Sequence, residues 1–344
     1  MNFKQKSIGE QAIVLTGATS GIGLVTARMA AKRGARLMLI ARNPAALQAL
    51  SDEINSAGGK AVYAVADVAQ ETDLGEAAAD AIAAFGVIDT WINNAGVSIY
   101  GNLEDVPHED SRRLFETNFW GVVNGSLIAA REMHNSGGTI INVGSTLSDR
   151  SIPLQGMYCA SKHAVKGFTD SLRMELEAKK APVQISLVKP SAIDTPYKDH
   201  AKNYLPVRPE NPAPVYAPET VAETILHCAE NPVRDVFVGG GGKALSTLGE
   251  TMPRLTDLVM ERTMISTQLT DEAPDTSREG LHTSKDDELA ERGGYDGHVA
   301  ESSLYTKASL HPLTAGALTA VGLGAFFAIG RKIRGAKSSP PEGH

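Results

Sequence analysis

Seven short apolar runs, at 12–16, 36–40, 61–66, 88–92, 139–143, 183–188 and 234–238, alternate with longer stretches of helical patterning such as 44–57 and 72–85. This rhythm restricts the fold more than any other property of the chain. Runs of five or six β-prone residues read as strands, and strands separated by helices pair in parallel because each helix crosses back over the sheet. The expectation is one α/β domain with a parallel sheet wound on both faces. About 240 residues suffice for such a domain, and 344 residues at 42% hydrophobic content supply its core. No solenoid-type repeat is present.

The first run leads into Thr16-Gly17-Ala18-Thr19-Ser20-Gly21-Ile22-Gly23, and a helical stretch follows at 24–31. Strand, glycine turn and helix make a phosphate-binding arrangement. Glycines let the backbone turn tightly and approach a pyrophosphate, whose charge sits on the N–H groups and positive dipole end of the helix. The spacing is Gly-x-x-x-Gly-x-Gly, and by itself it is also compatible with an ordinary turn. Further on, Tyr158 and Lys162 stand four residues apart and so share one helix face. A phenol titrates near ~10 and is a poor acid at neutral pH until a cation stabilises its phenolate. Such pairs are common on solvated helix faces, so this one gains meaning from its company. Asn93-Asn94-Ala95-Gly96 follows the fourth run, and Ser145 precedes Tyr158 by thirteen residues.

In that order and spacing the motifs resemble those of the short-chain dehydrogenase/reductase family, over residues 10–240. The resemblance implies a Rossmann-like, doubly wound, seven-stranded parallel sheet carrying a nicotinamide dinucleotide. It implies phosphate contacts from Gly17, Thr19, Ser20, Gly21, Ile22 and Gly23, and an adenine-contacting pair, Asp67 and Val68. Asn94, Ala95 and Gly96 would lie along the ribose side, and Pro190, Ile193 and Thr195 would hold the nicotinamide carboxamide. Ser191 stands where the family commonly has Gly. Catalysis would use Tyr158 as proton donor or acceptor and Ser145 on the same substrate oxygen. Lys162 would lower the Tyr158 pKa and bond the nicotinamide ribose, and Asn118 would hold a water beside it. Taken singly, Asn118 reads as a helix residue bonded to backbone, Ser145 as a strand-end cap and Asp67 as a loop cap.

Cofactor choice is read from the end of the second run. An acid there would bind the ribose 2′-hydroxyl of NAD, but the chain has Ala41 followed by Arg42. A guanidinium at that place suits a 2′-phosphate, so NADP(H) is expected over NAD, a merely solvated Arg42 being the alternative. The expected reaction moves a hydride between the nicotinamide and a ketone, aldehyde or secondary alcohol. Apolar residues at 152–157 and a Pro- and Tyr-rich stretch at 194–218, suited to a lid, point to a hydrophobic small-molecule substrate. The rival reading is a dinucleotide-binding redox sensor or scaffold that works through its tail. The intact Asn118, Ser145, Tyr158 and Lys162 favour the enzyme.

Two cysteines, Cys159 and Cys228, form no disulfide framework, and the absence of His-Glu-x-x-His and Cys-x-x-Cys spacings argues against a metal site. An isoelectric point near 5.8 and the lack of a basic run argue against nucleic acid. The domain plan is a catalytic domain at 1–242, a helix at 243–265, an acidic flexible linker at 266–307, a hydrophobic helix at 308–330 and a basic polar tail at 331–344. Ten acidic and three basic residues between Asp271 and Glu301 give that stretch a charge equal to the −7 of the whole chain. The 308–330 segment has no formal charge and is long enough to cross a bilayer, yet its Gly and Ala content and the basic cluster beyond it suit a soluble packing helix as well. With no secretion signal at the N-terminus, the catalytic domain is expected in the cytoplasm. The family resemblance also implies a homo-oligomer.

Overall fold

The computed structural model describes residues 5–284 and 289–311. Strands β1 (Ala12–Thr16), β2 (Arg36–Ala41), β3 (Lys60–Val65), β4 (Thr90–Asn93), β5 (Gly138–Val143), β6 (Val183–Pro190) and β7 (Asp235–Val238) form one seven-stranded sheet. Its order is β7-β6-β5-β4-β1-β2-β3, and every neighbouring pair is parallel. The pleat sends alternate side chains of one strand to opposite faces. On β1, Ile13 and Leu15 join Leu24, Leu37, Leu39, Leu47 and Val221 on one side. Val14 joins Met38, Ile40, Leu74, Trp91, Ile140 and Leu172 on the other. Helices α1 (Gly21–Lys32), α2 (Pro44–Ser56) and α8 (Pro218–Glu230) contribute to the first layer, and α3 (Glu71–Phe85), α5 (Gly121–Glu132) and α6 (Gly156–Ala178) to the second. Each fully buried large apolar side chain stabilises this sandwich by roughly 1.5–3 kcal/mol.

The sheet grows outward in both directions from the boundary between β1 and β4, with β2 and β3 to one side and β5, β6 and β7 to the other. Loops leaving the carboxyl ends of β1 and β4 diverge there and leave a crevice, where doubly wound sheets bind ligands. The remaining elements gather at that end: α4 (His108–Phe115), α7 (Tyr197–His200), α9 (Gly240–Thr251), α10 (Pro253–Thr263) and α11 (Leu304–Leu310).

Two expectations about the C-terminal third need correction. The single helix at 243–265 is two helices, broken at Met252 with φ −135° and ψ 61°. Pro253 sits at the first turn of α10, where its missing N–H and fixed φ are tolerated, and it prevents α9 from continuing. The 266–307 stretch is anchored to the domain at several described points, although residues 271–277 stay exposed. Val299–Ala300 adds a parallel strand beside Val215–Tyr216, Thr306 Oγ1 accepts a hydrogen bond from Gly239 N at 3.0 Å, and Leu281 is 1% exposed. Its acids are held by bases from elsewhere in the chain, in the pairs Arg28–Glu291, Lys202–Glu279 and Arg208–Glu272. Composition within the segment shows the excess charge but not the partners that balance it. Of the 308–330 stretch, residues 312–330 lie outside the described residues. Among the described residues, no helix is long and apolar enough to cross a membrane.

Candidate active site

The glycine turn after β1 is built by close approach. Gly17 has φ +66°, and a Cβ placed there would lie 2.8 Å from Ala95 Cα. A Cβ on Gly23 would lie 1.9 Å from Gly17 O, so α1 starts directly against the turn. Asn94 locks the arrangement from β4, its Nδ2 donating to Thr16 O at 3.0 Å and Gly17 O at 3.1 Å. Ser20, the N-cap of α1, makes no side-chain capping bond, which leaves the first-turn N–H groups to other acceptors. Thr19, Ser20, Arg42, Asp67, Val68, Ala95 and Gly96 line a cleft of about 110 Å³ that begins at Gly17.

Beyond Gly96 the cleft continues into a larger pocket of about 280 Å³. Ser145, Tyr158 and Lys162 line it with Ile22, Asn94, Pro190, Ile193 and Thr195. Ser145 caps the turn Thr146–Ser148, its Oγ accepting from Leu147 N at 3.0 Å. Its hydroxyl also lies close enough to that of Tyr158 to draw the phenol's pKa downward. Tyr158 stands on the first turn of α6, and Lys162 one turn on donates from Nζ to Val143 O at 2.9 Å. The Lys162 nitrogen lies 5.6 Å from the Tyr158 ring centroid.

Burial sets the electrostatics of this pair. Loss of water pushes the Tyr158 hydroxyl up to about 12, against contacts with Tyr197 and Ser145 that act downward, and brings the Lys162 ammonium down to about 8. In this geometry the ammonium bonds to a backbone carbonyl, and desolvation dominates the phenol.

Asn118 sits in a π-helical turn, Glu116–Trp120, between α4 and α5. Its Oδ1 accepts from Val97 N at 2.8 Å, and its Nδ2 donates to Val97 O at 2.9 Å and Ser161 Oγ at 3.2 Å. That side chain fixes the loop after β4 against α6. The water-holding role expected of it would have to come from another part of the residue. Ser191, in the place of the usual glycine, is accommodated across the turn. A Cβ on Gly239 or Gly242 would come within 2.6 Å of its Oγ, so the glycine run 239–242 makes room for that hydroxyl.

Several pocket residues carried no motif. Tyr197 stacks edge-on against Tyr158 with centroids 5.5 Å apart, and its hydroxyl donates to Ser98 Oγ at 2.7 Å. Pro212 and Pro214, from the stretch read as a lid, line the pocket with Leu147, Leu245 and Met264. His200, Gly280 and Ser284 line the smaller cleft. The Pro- and Tyr-rich composition at 194–218 was the only sequence signal for any of them. Among the described residues no group of three or more His, Cys, Asp or Glu could hold a metal.

The family model described as short chain dehydrogenase matches residues 11–204. The uncharacterized oxidoreductase YxnA of Bacillus subtilis (strain 168) is 44% identical over 332 residues, 96% of this chain and 93% of that protein. Dehydrogenase/reductase SDR family member 7B of Bos taurus is 31% identical over 252 residues, 70% of this chain and 77% of that protein. The crystal structure of a short chain dehydrogenase/reductase from Burkholderia phymatum in complex with NAD superposes with a TM-score of 0.61 at 25% identity, covering 78% of this chain and 98% of that one.

Proposed function

Because the chain belongs to the short-chain dehydrogenase family of oxidoreductases, we propose that it is an NADP(H)-dependent carbonyl reductase or alcohol dehydrogenase acting on hydrophobic ketones, aldehydes or secondary alcohols. The observation that carries this reading is the convergence of Ser145, Tyr158 and Lys162 on one pocket continuous with the glycine-turn cleft.

The residues present suit a dinucleotide. The first turn of α1 carries N–H groups that its N-cap side chain leaves to other acceptors, and Pro190, Ile193 and Thr195 lie where the larger pocket meets the glycine turn. The NAD bound by the Burkholderia phymatum protein supports a nicotinamide dinucleotide, and Ala41 with Arg42 in the cleft favours the 2′-phosphorylated form. A bound nicotinamide would supply or accept the hydride. Tyr158 would give its proton to the substrate oxygen on reduction and take it back on oxidation, while Ser145 donates a hydrogen bond to the same oxygen. Lys162, held near neutral-range titration by burial, would carry positive charge toward the phenolate as the proton leaves. Leu147, Ile152, Leu245 and Met264 give the pocket an apolar wall.

The test is turnover of a panel of ketones with NADPH by the purified protein and by Tyr158→Phe. Loss of the acid should lower kcat/KM by roughly 10²–10⁴-fold with little change in NADPH affinity. Equal turnover by the two proteins would remove Tyr158 from the mechanism. Dinucleotide binding without turnover of any carbonyl would favour the sensor or scaffold reading.

A further inference from the structure

We propose that residues 280–281 and 289–293 are an internal competitor of the cofactor, their backbone carbonyl oxygens holding the two places where the dinucleotide's phosphates would bind. This rests on reading the glycine-turn cleft as a dinucleotide site.

The first place is the start of α1. Gly21 N, the first N–H of the helix, donates to Ala290 O at 2.9 Å, and Leu289 N donates back to Thr19 O at 2.6 Å. The segment thus pairs with the glycine turn itself. The second is Arg42, whose Nη2 donates to Gly280 O at 2.5 Å and Nη1 to Leu281 O at 3.4 Å. Arg113 extends the contact, donating from Nε to Leu281 O at 3.3 Å while its Nη2 pairs with Asp67 at 2.5 Å. A carbonyl oxygen is the neutral counterpart of a phosphate oxygen. It satisfies the same donors, but without the charge that makes such bonds to helix N-termini and guanidinium groups strong.

The space agrees with competition. Gly280 and Ser284 form part of the wall of the smaller cleft, which holds about 110 Å³. Small-molecule sites span about 300–1,000 Å³, so withdrawal of this wall would bring the cleft closer to the room an adenosine phosphate takes. The anchors lie outside the phosphate positions. Leu281 is buried among Val97, Ile99 and Leu114, Glu291 pairs with Arg28 at 2.7 Å, Arg292 pairs with Glu219 at 2.8 Å, and Gly293 N donates to Asp194 Oδ1 at 3.0 Å. Leu289 is held at φ 74°, a left-handed conformation costly for a branched side chain, and release of the segment relieves it. A charged ligand that must displace a docked segment binds with an apparent affinity reduced by the fraction of chains in which the segment is released.

The experiment follows amide exchange in the full chain with and without saturating NADPH. Displacement predicts faster exchange at 289–293 when NADPH is bound, because the Leu289 amide loses its bond to Thr19. Slower or unchanged exchange there, with NADPH bound, would overturn the proposal and make the segment a clamp or a bystander. The variant Glu291→Ala/Arg292→Ala, which loosens the anchors without touching the phosphate positions, should bind NADPH roughly fivefold more tightly. Equal or weaker binding by that variant would also overturn it. If neither chain binds NADPH or NADH, the dinucleotide reading itself falls, and the competitor with it.

Discussion

Two opposed desolvation effects meet at α6. Water is excluded from both Tyr158 and Lys162, which keeps the phenol protonated up to about 12 and lets the amine lose its proton near 8. For Lys162 the exposed value is 10.5. Between 8 and 10.5 the unfolded chain keeps the lysine proton and the folded chain does not, so this group's contribution to stability rises with pH and is lost as pH falls to 8. The full span corresponds to about 3 kcal/mol. Tyr158 acts in the other direction, but only above its exposed value of 10. Urea unfolding at pH 8 and pH 10 should therefore show the wild-type chain gaining most of about 3 kcal/mol relative to Lys162→Met. Parallel pH dependences in the two proteins would mean that the amine is not desolvated. At the other end of the cleft, Arg42→Ala should weaken NADPH by roughly 10–100-fold while leaving NADH nearly unchanged, as loss of a charge-assisted bond requires. Equal losses, measured by fluorescence titration, would reduce Arg42 to an anchor for residues 280 and 281. Tyr158, Lys162, Ser145 and Arg42 were all legible in the sequence. Their bonding was not, since Val143 O and Gly280 O are backbone atoms contributed from elsewhere.

The glycine turn and the π-helical turn show how differently two elements can be read. Gly-x-x-x-Gly-x-Gly between a strand and a helix is largely a local constraint: Gly17 and Gly23 answer contacts within the turn and with the loop after β4, while Gly21 faces Thr195. Gly23→Ala would drive a Cβ to 1.9 Å from Gly17 O and 2.6 Å from Asn94 Nδ2. The expected cost is about 3 kcal/mol of stability with loss of dinucleotide binding, measured by denaturant titration and NADPH binding. A folded, binding-competent Gly23→Ala protein would contradict the packing of α1 on the turn. The π-turn at Glu116–Trp120 has no such signature. It inserts Asn118 between Val97 and Ser161, and what selects it is the distance between the loop after β4 and α6, a tertiary quantity. The break between α9 and α10 is intermediate. Pro253 is visible in the sequence, but helical periodicity on both sides of it conceals the change of direction.

At the scale of the whole molecule, the larger pocket is assembled from the ends of β5 and β6, the start of α6, the stretch around Tyr197, the prolines at 212 and 214, and Leu245 and Met264 near α9 and α10. These walls are drawn from residues spread between Val143 and Met264. Because Leu147, Ile152, Leu245 and Met264 face it, Met264→Lys should lower kcat/KM for apolar ketones roughly tenfold or more without altering NADPH affinity. An unchanged preference between apolar and charged carbonyls would move the substrate elsewhere. The acidic stretch belongs to this scale too. Its own composition argues for a loose linker, and only the positions of Arg28, Lys202 and Arg208, and of Glu219 opposite its own Arg292, in the folded chain explain why it docks.

Sequence alone determined the seven strands, the helices between them, the glycine turn and the residue types at the candidate catalytic positions. Those follow from periodicity and turn chemistry, which act over a few residues and leave a pattern in side chains. Tertiary structure alone decided what shares the cleft with them. The bond from Gly21 N to Ala290 O joins parts of the chain far apart in sequence through atoms that every residue possesses. Backbone amides and carbonyls are chemically alike from residue to residue, so which of them meet is settled only when the chain is folded.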